Sequence, residues 1–308
     1  MKVINREFRR LVPKLREKGF YKSQEKRVIE WKYYTLSQIN EVKLLDKIKS
    51  LVDTFDARKA KSFGRPSTNP KDLAKAILVA ELLGLPERQS QGWINLLASK
   101  VGITSLLDDR TIGRAYGRLE VLEILKQVFE KTKTSNGILS GDGTGIETTR
   151  KQNYESTKKK TENYLVSIVD SREIVQAFEM NNKECHTMYS LIEEVDGTSL
   201  CLDAGFVDRE LTRKIYGLGI KPLIFPKKNL NLNGSIYWKK MFLELFNNTQ
   251  EWLKEYHQRS HTESFHSSFK RKNKPLMKFN PFSKLMQLTA RIIIHNLRKQ
   301  NYYSMLGN

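Results

Sequence analysis

The chain has 308 residues, a formal charge of +20 at pH 7, 39% hydrophobic and 10% aromatic residues. That apolar content excludes a disordered chain, and the charge points to nucleic acid as the natural counter-ion, with an anionic membrane surface as the rival. The apolar runs are too short to span a bilayer, and the best of them, 76–85 and 288–297, carry Glu81, Arg291 and His295.

Two cysteines, Cys185 and Cys201, are too few for a disulfide framework or a cysteine zinc site. His257, His261 and His266 lie in one short segment, but no cysteine or second histidine cluster completes a zinc shell. The basic N-terminus is followed by no apolar stretch, so it does not read as a signal peptide. The expected setting is cytoplasmic and nucleoid-associated, with no membrane partner. Positive charge is concentrated in blocks: residues 1–60 hold 16 Lys and Arg against 8 acids, and residues 254–300 hold 11 against 2. A third run, 150–160, includes Arg150 and Lys151. Each block alone fits a solvated surface, but three together fit a footprint on a phosphate backbone.

In chain order, residues 1–60 read as helical, with Leu36, Ile39, Val42 and Leu45 at helical spacing. The segment 63–70 (FGRPSTNP) is a breaker. Helices are predicted over 72–83, 87–100 and 109–131, which makes the first 135 residues all-helical. At Asn136-Gly137 the pattern changes. Strands are predicted over 138–148, 162–170, 173–180, 198–202 and 220–225, with helices over 186–195 and 207–216. Further helices follow over 239–255, 256–272 and 283–299. Three antiparallel strands followed by crossover helices and further strands build a mixed sheet covered by helices. This is the connectivity of the ribonuclease-H-like fold, an α/β class with a five-stranded mixed sheet, here preceded by an all-helical region. The expected division is 1–135 for DNA binding or dimerisation, 136–300 for catalysis, and a tail at 301–308.

Three acids stand out. Asp142 lies between Gly141 and Gly143 in the first predicted strand, which fits a ligand-bearing position and a tight turn equally well. Asp203 follows the fourth strand; carboxyl ends of strands favour ligands, but an Asp there also caps a following helix. In the expected fold the first and fourth strands lie side by side, which brings the two carboxylates together. On a helix at about 100° per residue, Tyr256, Arg259, Glu263 and Lys270 fall on one face and Phe265 and Phe269 on the other. That spacing also describes an ordinary polar face. Two Asp and one Glu on rigid elements suit a pair of Mg²⁺ ions about 3.5–4 Å apart, which stabilise the attacking and leaving oxygens of a phosphodiester. Arg259 and Lys270 would then grip phosphate, and Tyr256 would orient or stack.

These stretches resemble the DDE transposases of bacterial and archaeal insertion sequences. GDGTGIET (141–148) resembles the first-Asp motif, and LDAGFVDRELTRKIYGLGIKPLIFPKKN (202–229) the second, with its Pro-Lys-Lys-Asn turn holding Lys227 and Lys228. YHQRSHTESFHSSFKRK (256–272) matches a Tyr-x2-Arg-x3-Glu-x6-Lys signature at all four positions, and residues 63–97 resemble the family's helical region. Gly143 departs from the Ser common in relatives, and the stretch from Pro226 to Tyr256 has no room for the β-insertion some relatives carry. The resemblance implies an enzyme that binds the terminal inverted repeats of double-stranded DNA, frees 3′-OH ends and joins them to target DNA. It implies catalysis by Asp142, Asp203 and Glu263 with two Mg²⁺ ions, for which Mn²⁺ can substitute, in a homodimer. Arg110 and Arg114 sit on the second helix of a possible helix-turn-helix over 96–119, a segment that reads equally as a core or dimerisation pair. The alternatives are a Mg²⁺-dependent endonuclease that does not transpose, and a catalytically inactive DNA-binding relative.

Overall fold

The structure is a computed structural model that describes residues 2–20, 28–56, 67–148, 162–181, 183–227 and 230–307. Eight helices come first: α1 (Lys2–Glu17), α2 (Trp31–Ile39), α3 (Leu44–Asp53), α4 (Pro70–Leu83), α5 (Glu87–Leu96), α6 (Ala98–Val101), α7 (Asp109–Ala115) and α8 (Leu119–Thr132). Then follow β1 (Ile138–Glu147), β2 (Glu162–Asp170), β3 (Val175–Met180), α9 (Glu184–Leu191), β4 (Ser199–Leu202), α10 (Arg209–Gly217) and β5 (Lys221–Ile224). The chain closes with α11 (Ile236–Asn247), α12 (Thr249–Tyr256), α13 (Ser260–Lys272) and α14 (Pro281–Leu306).

The five strands form one sheet in the order β3-β2-β1-β4-β5. β2 and β3 are antiparallel, while β1, β4 and β5 run parallel. A parallel pair needs a crossover, and α10 supplies it between β4 and β5. This is the ribonuclease-H-like arrangement, with β1 beside β4 at the centre of the sheet.

The chain divides into two compact units that interleave along the sequence, whereas the expected division was linear. The first holds residues 1–28, 134–146 and 163–268. Its core joins the inner faces of the strands (Leu139, Val166, Ile168, Leu200, Leu202, Leu223) to Phe8, Val12 and Leu15 of α1. α1 therefore packs with the sheet unit. Its apolar residues recur at i, i+4 and i+7, one stripe of a helix.

The second unit holds residues 29–133, 147–162 and 269–308. α4 and α14 are buried along most of their lengths. Both start the same way: Asn69 and Asn280 accept a backbone N–H from Lys71 and Phe282, and Pro70 and Pro281 take the first helical position. α4 stops at Gly84, whose φ of +63° is left-handed and suits glycine. Among the described residues no helix is long and apolar enough to cross a membrane.

Several expectations fail here: the predicted helices over 87–100 and 239–255 each split in two, at Leu97 and Asn248. The predicted helix over 109–131 is two helices: the chain turns at 116–118, and Arg118 has an extended backbone ahead of α8. The turn carries Tyr116 into the interior, where its hydroxyl donates to Glu81. The apolar stripe at Leu36, Ile39 and Val42 is not a core face, since these are 39%, 70% and 61% exposed. A 3-10 turn at Asn40–Lys43 resets the helical phase, and the buried face is Leu44, Leu45, Ile48 and Val52 of α3.

Candidate functional site

β1 and β4 pair in register from Ile138↔Ser199 to Gly141↔Leu202. Asp142, within β1, and Asp203, just after β4, each follow the last paired residue, so two carboxylates 61 positions apart in the chain stand side by side beyond the paired stretch. Asp203 does not cap the following helix: Asp208 does, accepting the N–H of Leu211. Among the described residues the Asp203 carboxylate makes no hydrogen bond or ion pair, while its backbone carbonyl accepts the N–H of Phe206, so the side chain is available.

The third acid arrives on α13. Buried Thr262 donates its hydroxyl to Ser140 at 2.7 Å, and one turn on His266 bonds Ser167 of β2 at 3.0 Å. Ser140 and Asp142 share a face of β1, because strand side chains alternate. The Thr262–Ser140 bond thus registers the helix bearing Glu263 against the strand bearing Asp142. Phe265 and Phe269 are buried as the helical spacing predicted. The uninterrupted helix over 256–272 is not observed: α12 ends at Tyr256 and a 3-10 turn over His257–Arg259 leads into α13.

Arg259 bridges the acids. Its Nη1 lies 3.6 Å from Asp142 Oδ2 and its Nη2 2.5 Å from Glu263 Oε1. Burial opposes charge on Arg259, yet Tyr256, Glu263, Asp203 and Asp142 together push its pKa above the ordinary value. Asp142 is pushed up from 3.8 to about 6, chiefly by burial. The N–H of Gly143 and the charge of Arg259 pull it down; Asp203 and Glu184 push it further up.

Glu184, in the first turn of α9, is the acid that sequence reasoning missed. A Cβ on Gly143 would meet its Oε1 at 2.3 Å, so glycine here makes room for a fourth carboxylate. Only the Gly143 departure hinted at it. Gly141 is filled differently: a Cβ there would meet Leu202 and Met188 at 2.8 and 2.9 Å. We expect Gly143→Ala to destabilise the protein by about 1–3 kcal/mol through overpacking. Adding Glu184→Ala should recover most of that loss in a double-mutant cycle read by urea denaturation; additive effects would mean the two residues are not in contact.

The raised pKa has a consequence for stability. Between its ordinary value of 3.8 and about 6, the folded protein holds a proton on Asp142 that the unfolded chain has lost. Stability therefore falls as pH rises through that window. In EDTA, Asp142→Asn should exceed the wild type by up to about 3 kcal/mol at pH 7.5 and match it near pH 3.5, as measured by urea denaturation. A difference independent of pH would contradict the burial of this carboxyl.

The other predicted site residues are scattered. Tyr256 is 1% exposed, stacks on Trp252 with ring centroids 5.1 Å apart, and meets Phe225 at a tilt of 41°. Its ring braces the turn carrying Arg259 and offers no face for a base, which corrects the stacking expectation. Lys270 is exposed in the last turn of α13, and Lys227 is exposed after β5. Arg110 and Arg114 are exposed on α7, a helix of 7 residues. Arg150, Lys151 and Lys228 lie outside the described residues.

The donors are all oxygen, the set that a hard divalent cation takes, and the mutual repulsion at Asp142 is what such a cation would relieve. Among the described residues, no three His, Cys, Asp or Glu side chains stand close enough to chelate one ion. Arg259 occupies the position between Asp142 and Glu263.

Residues 134–297, just over half of the chain, match the family model described as Transposase DDE domain. No curated protein matches the sequence.

Proposed function

Because the chain belongs to the family of transposases with a DDE domain, we propose that it cuts DNA at terminal inverted repeats to free 3′-OH ends and joins those ends to target DNA. Asp142, Asp203 and Glu263 would hold two Mg²⁺ ions, or Mn²⁺ in their place, whose charge stabilises the attacking and leaving oxygens. The observation that carries this reading is the in-register end of β1 and β4, which sets Asp142 beside Asp203. Arg259 then has two roles. Without DNA it neutralises Asp142 and Glu263; with a phosphodiester present its guanidinium turns to phosphate oxygens, releasing both carboxylates. In the cleavage step water forms a bond to phosphorus as the P–O3′ bond breaks and the 3′ oxygen takes a proton. In the joining step that hydroxyl attacks a target phosphodiester, so one P–O bond forms as one breaks, with no covalent enzyme intermediate.

Exposed Lys227, Lys270, Arg110 and Arg114 fit contacts to the backbone, and Arg150, Lys151 and Lys228 extend the same reading. Two ends cut together call for a homodimer. The test is a strand-transfer assay on a labelled duplex that carries the element ends, with Mg²⁺ and a target plasmid. Joined product is expected. Nicked product alone would favour the non-transposing endonuclease, and binding without cleavage would favour the inactive DNA-binding relative.

A further inference from the structure

A second basic site lies in the sheet unit, built by α1 and the loop after β5. Asn5, Arg6, Arg9, Arg10, Asn231 and Asn233 line a cleft of about 440 Å³. No acid lines it, and Glu7, which lies between the arginines in sequence, is not among the lining residues.

The cleft has a rigid frame. Phe8, Val12 and Leu15 bury one face of α1, and Phe8 meets Phe242 edge-on at 5.6 Å. At 100° per residue, Arg6, Arg9 and Arg10 fall about 100° or more from Phe8, on the outward side. The loop is tied to the helix at both ends: Asn5 Oδ1 accepts the N–H of Leu232 at 3.1 Å, and Arg16 donates to the Pro226 carbonyl at 2.8 Å. Trp238 fixes the loop from below through the Asn231 carbonyl at 3.0 Å, and Asn231 accepts the N–H of Asn233.

Elsewhere in this unit cations find acids, as in Arg172–Asp170, Arg213–Glu210 and Lys221–Glu255. The guanidinium groups of Arg6, Arg9 and Arg10 make no ion pair or hydrogen bond among the described residues. Three unpaired guanidiniums beside asparagine amides, held on a framed wall, are donors without acceptors. Each guanidinium offers a fork of donors suited to phosphate oxygens. One helical turn from Arg6 to Arg10 rises about 6 Å, close to the axial span of two phosphates of one strand at roughly 3.4 Å each.

We propose that this cleft is a docking site for the phosphodiester backbone of duplex DNA, separate from Asp142, Asp203 and Glu263. It rests on the DNA-acting role proposed above, and adds that α1 is part of the DNA-binding surface. The contacts are to backbone, so they position the duplex without reading its sequence.

The test is fluorescence anisotropy of a labelled 30-base-pair duplex across a salt series, using the full chain and Arg6→Gln/Arg9→Gln/Arg10→Gln. These side chains are exposed, so the fold should hold, and a thermal melt checks that. Each phosphate contact contributes about 0.9 to the slope of log K against log salt. The triple variant should therefore lose about 2–3 from that slope, with binding at 0.1 M salt at least about tenfold weaker. A control that removes as much charge, Lys126→Gln/Lys131→Gln/Lys254→Gln, should lose less. An unchanged slope, or equal losses in both variants, would overturn the proposal. So would displacement of the duplex by polyglutamate or by inorganic pyrophosphate as effectively as by unlabelled duplex, since either would identify another occupant. If the wild type binds and cleaves DNA while the triple variant binds normally, only this site falls. A wild type without salt-dependent duplex binding removes the transposase reading as well.

Discussion

If Asp142 holds metal as proposed, Asp142→Asn is expected to lower Mg²⁺-dependent DNA cleavage by at least about 10³-fold, because losing that carboxylate forfeits several kcal/mol of charge stabilisation in the transition state. Duplex binding should stay within about twofold of wild type. The substitution keeps the shape of the side chain, and an amide oxygen can still accept the Gly143 N–H that Asp142 Oδ1 accepts at 2.9 Å. Arg259 keeps Glu263 as its partner at 2.5 Å. The exposed cations proposed to meet DNA are untouched. Asp203→Asn should behave the same way from the neighbouring strand. A gel of labelled duplex, with and without EDTA, reads cleavage, and anisotropy reads binding. Equal losses in both would mean that the variant disturbs the fold or the DNA surface, and that the carboxylate has no specific catalytic part.

The largest stability effect is expected in the helical unit, at Glu81. This side chain is almost fully buried on α4 and accepts from three donors: Arg291 Nε at 2.7 Å, Tyr116 hydroxyl at 2.8 Å and Gln287 Nε2 at 2.8 Å. Glu81 and Arg291 are both 5% exposed at the side chain. Burial, and then the charge of Glu81, hold the Tyr116 hydroxyl well above its ordinary pKa, so it remains a donor. Glu81→Gln leaves the Arg291 charge buried without its counter-ion and should cost about 3–5 kcal/mol. Replacing the pair together, Glu81→Leu with Arg291→Met, should cost less, because two apolar groups leave no uncompensated charge. Urea denaturation of the two variants checks this. If the double replacement proves the worse of the two, the pair is stabilising in its own right.

The strands were legible because their residues carry a local signal. Alternating, β-branched ENYLVSIVD predicts residues 162–170, the range that β2 occupies. The neighbouring positions of β1 and β4 also followed from the predicted connectivity, and with them the approach of Asp142 to Asp203. What escaped was tertiary. The predicted helix boundary at 255/256 falls within a residue or two of the observed 3-10 turn, but nothing in FNNTQ marks the break between α11 and α12, since neither Gly nor Pro interrupts it. Glu184 is 42 positions from Asp142 and reaches it only through packing of α9 at Gly143. The Leu36, Ile39 and Val42 spacing is helical in period, yet a 3-10 turn puts those residues at the surface. Periodicity reports which residues could share a face, and the neighbouring elements decide whether that face is covered.

Asp142 and Asp203 are proposed to hold divalent cations, and a Mn²⁺ titration followed by electron paramagnetic resonance tests this without any DNA substrate. The wild type should remove about two Mn²⁺ per chain from the free signal, and Asp142→Asn and Asp203→Asn should each weaken that uptake by tenfold or more. Uptake by both variants that equals the wild type would contradict the assignment of Asp142 and Asp203 as the metal-holding pair.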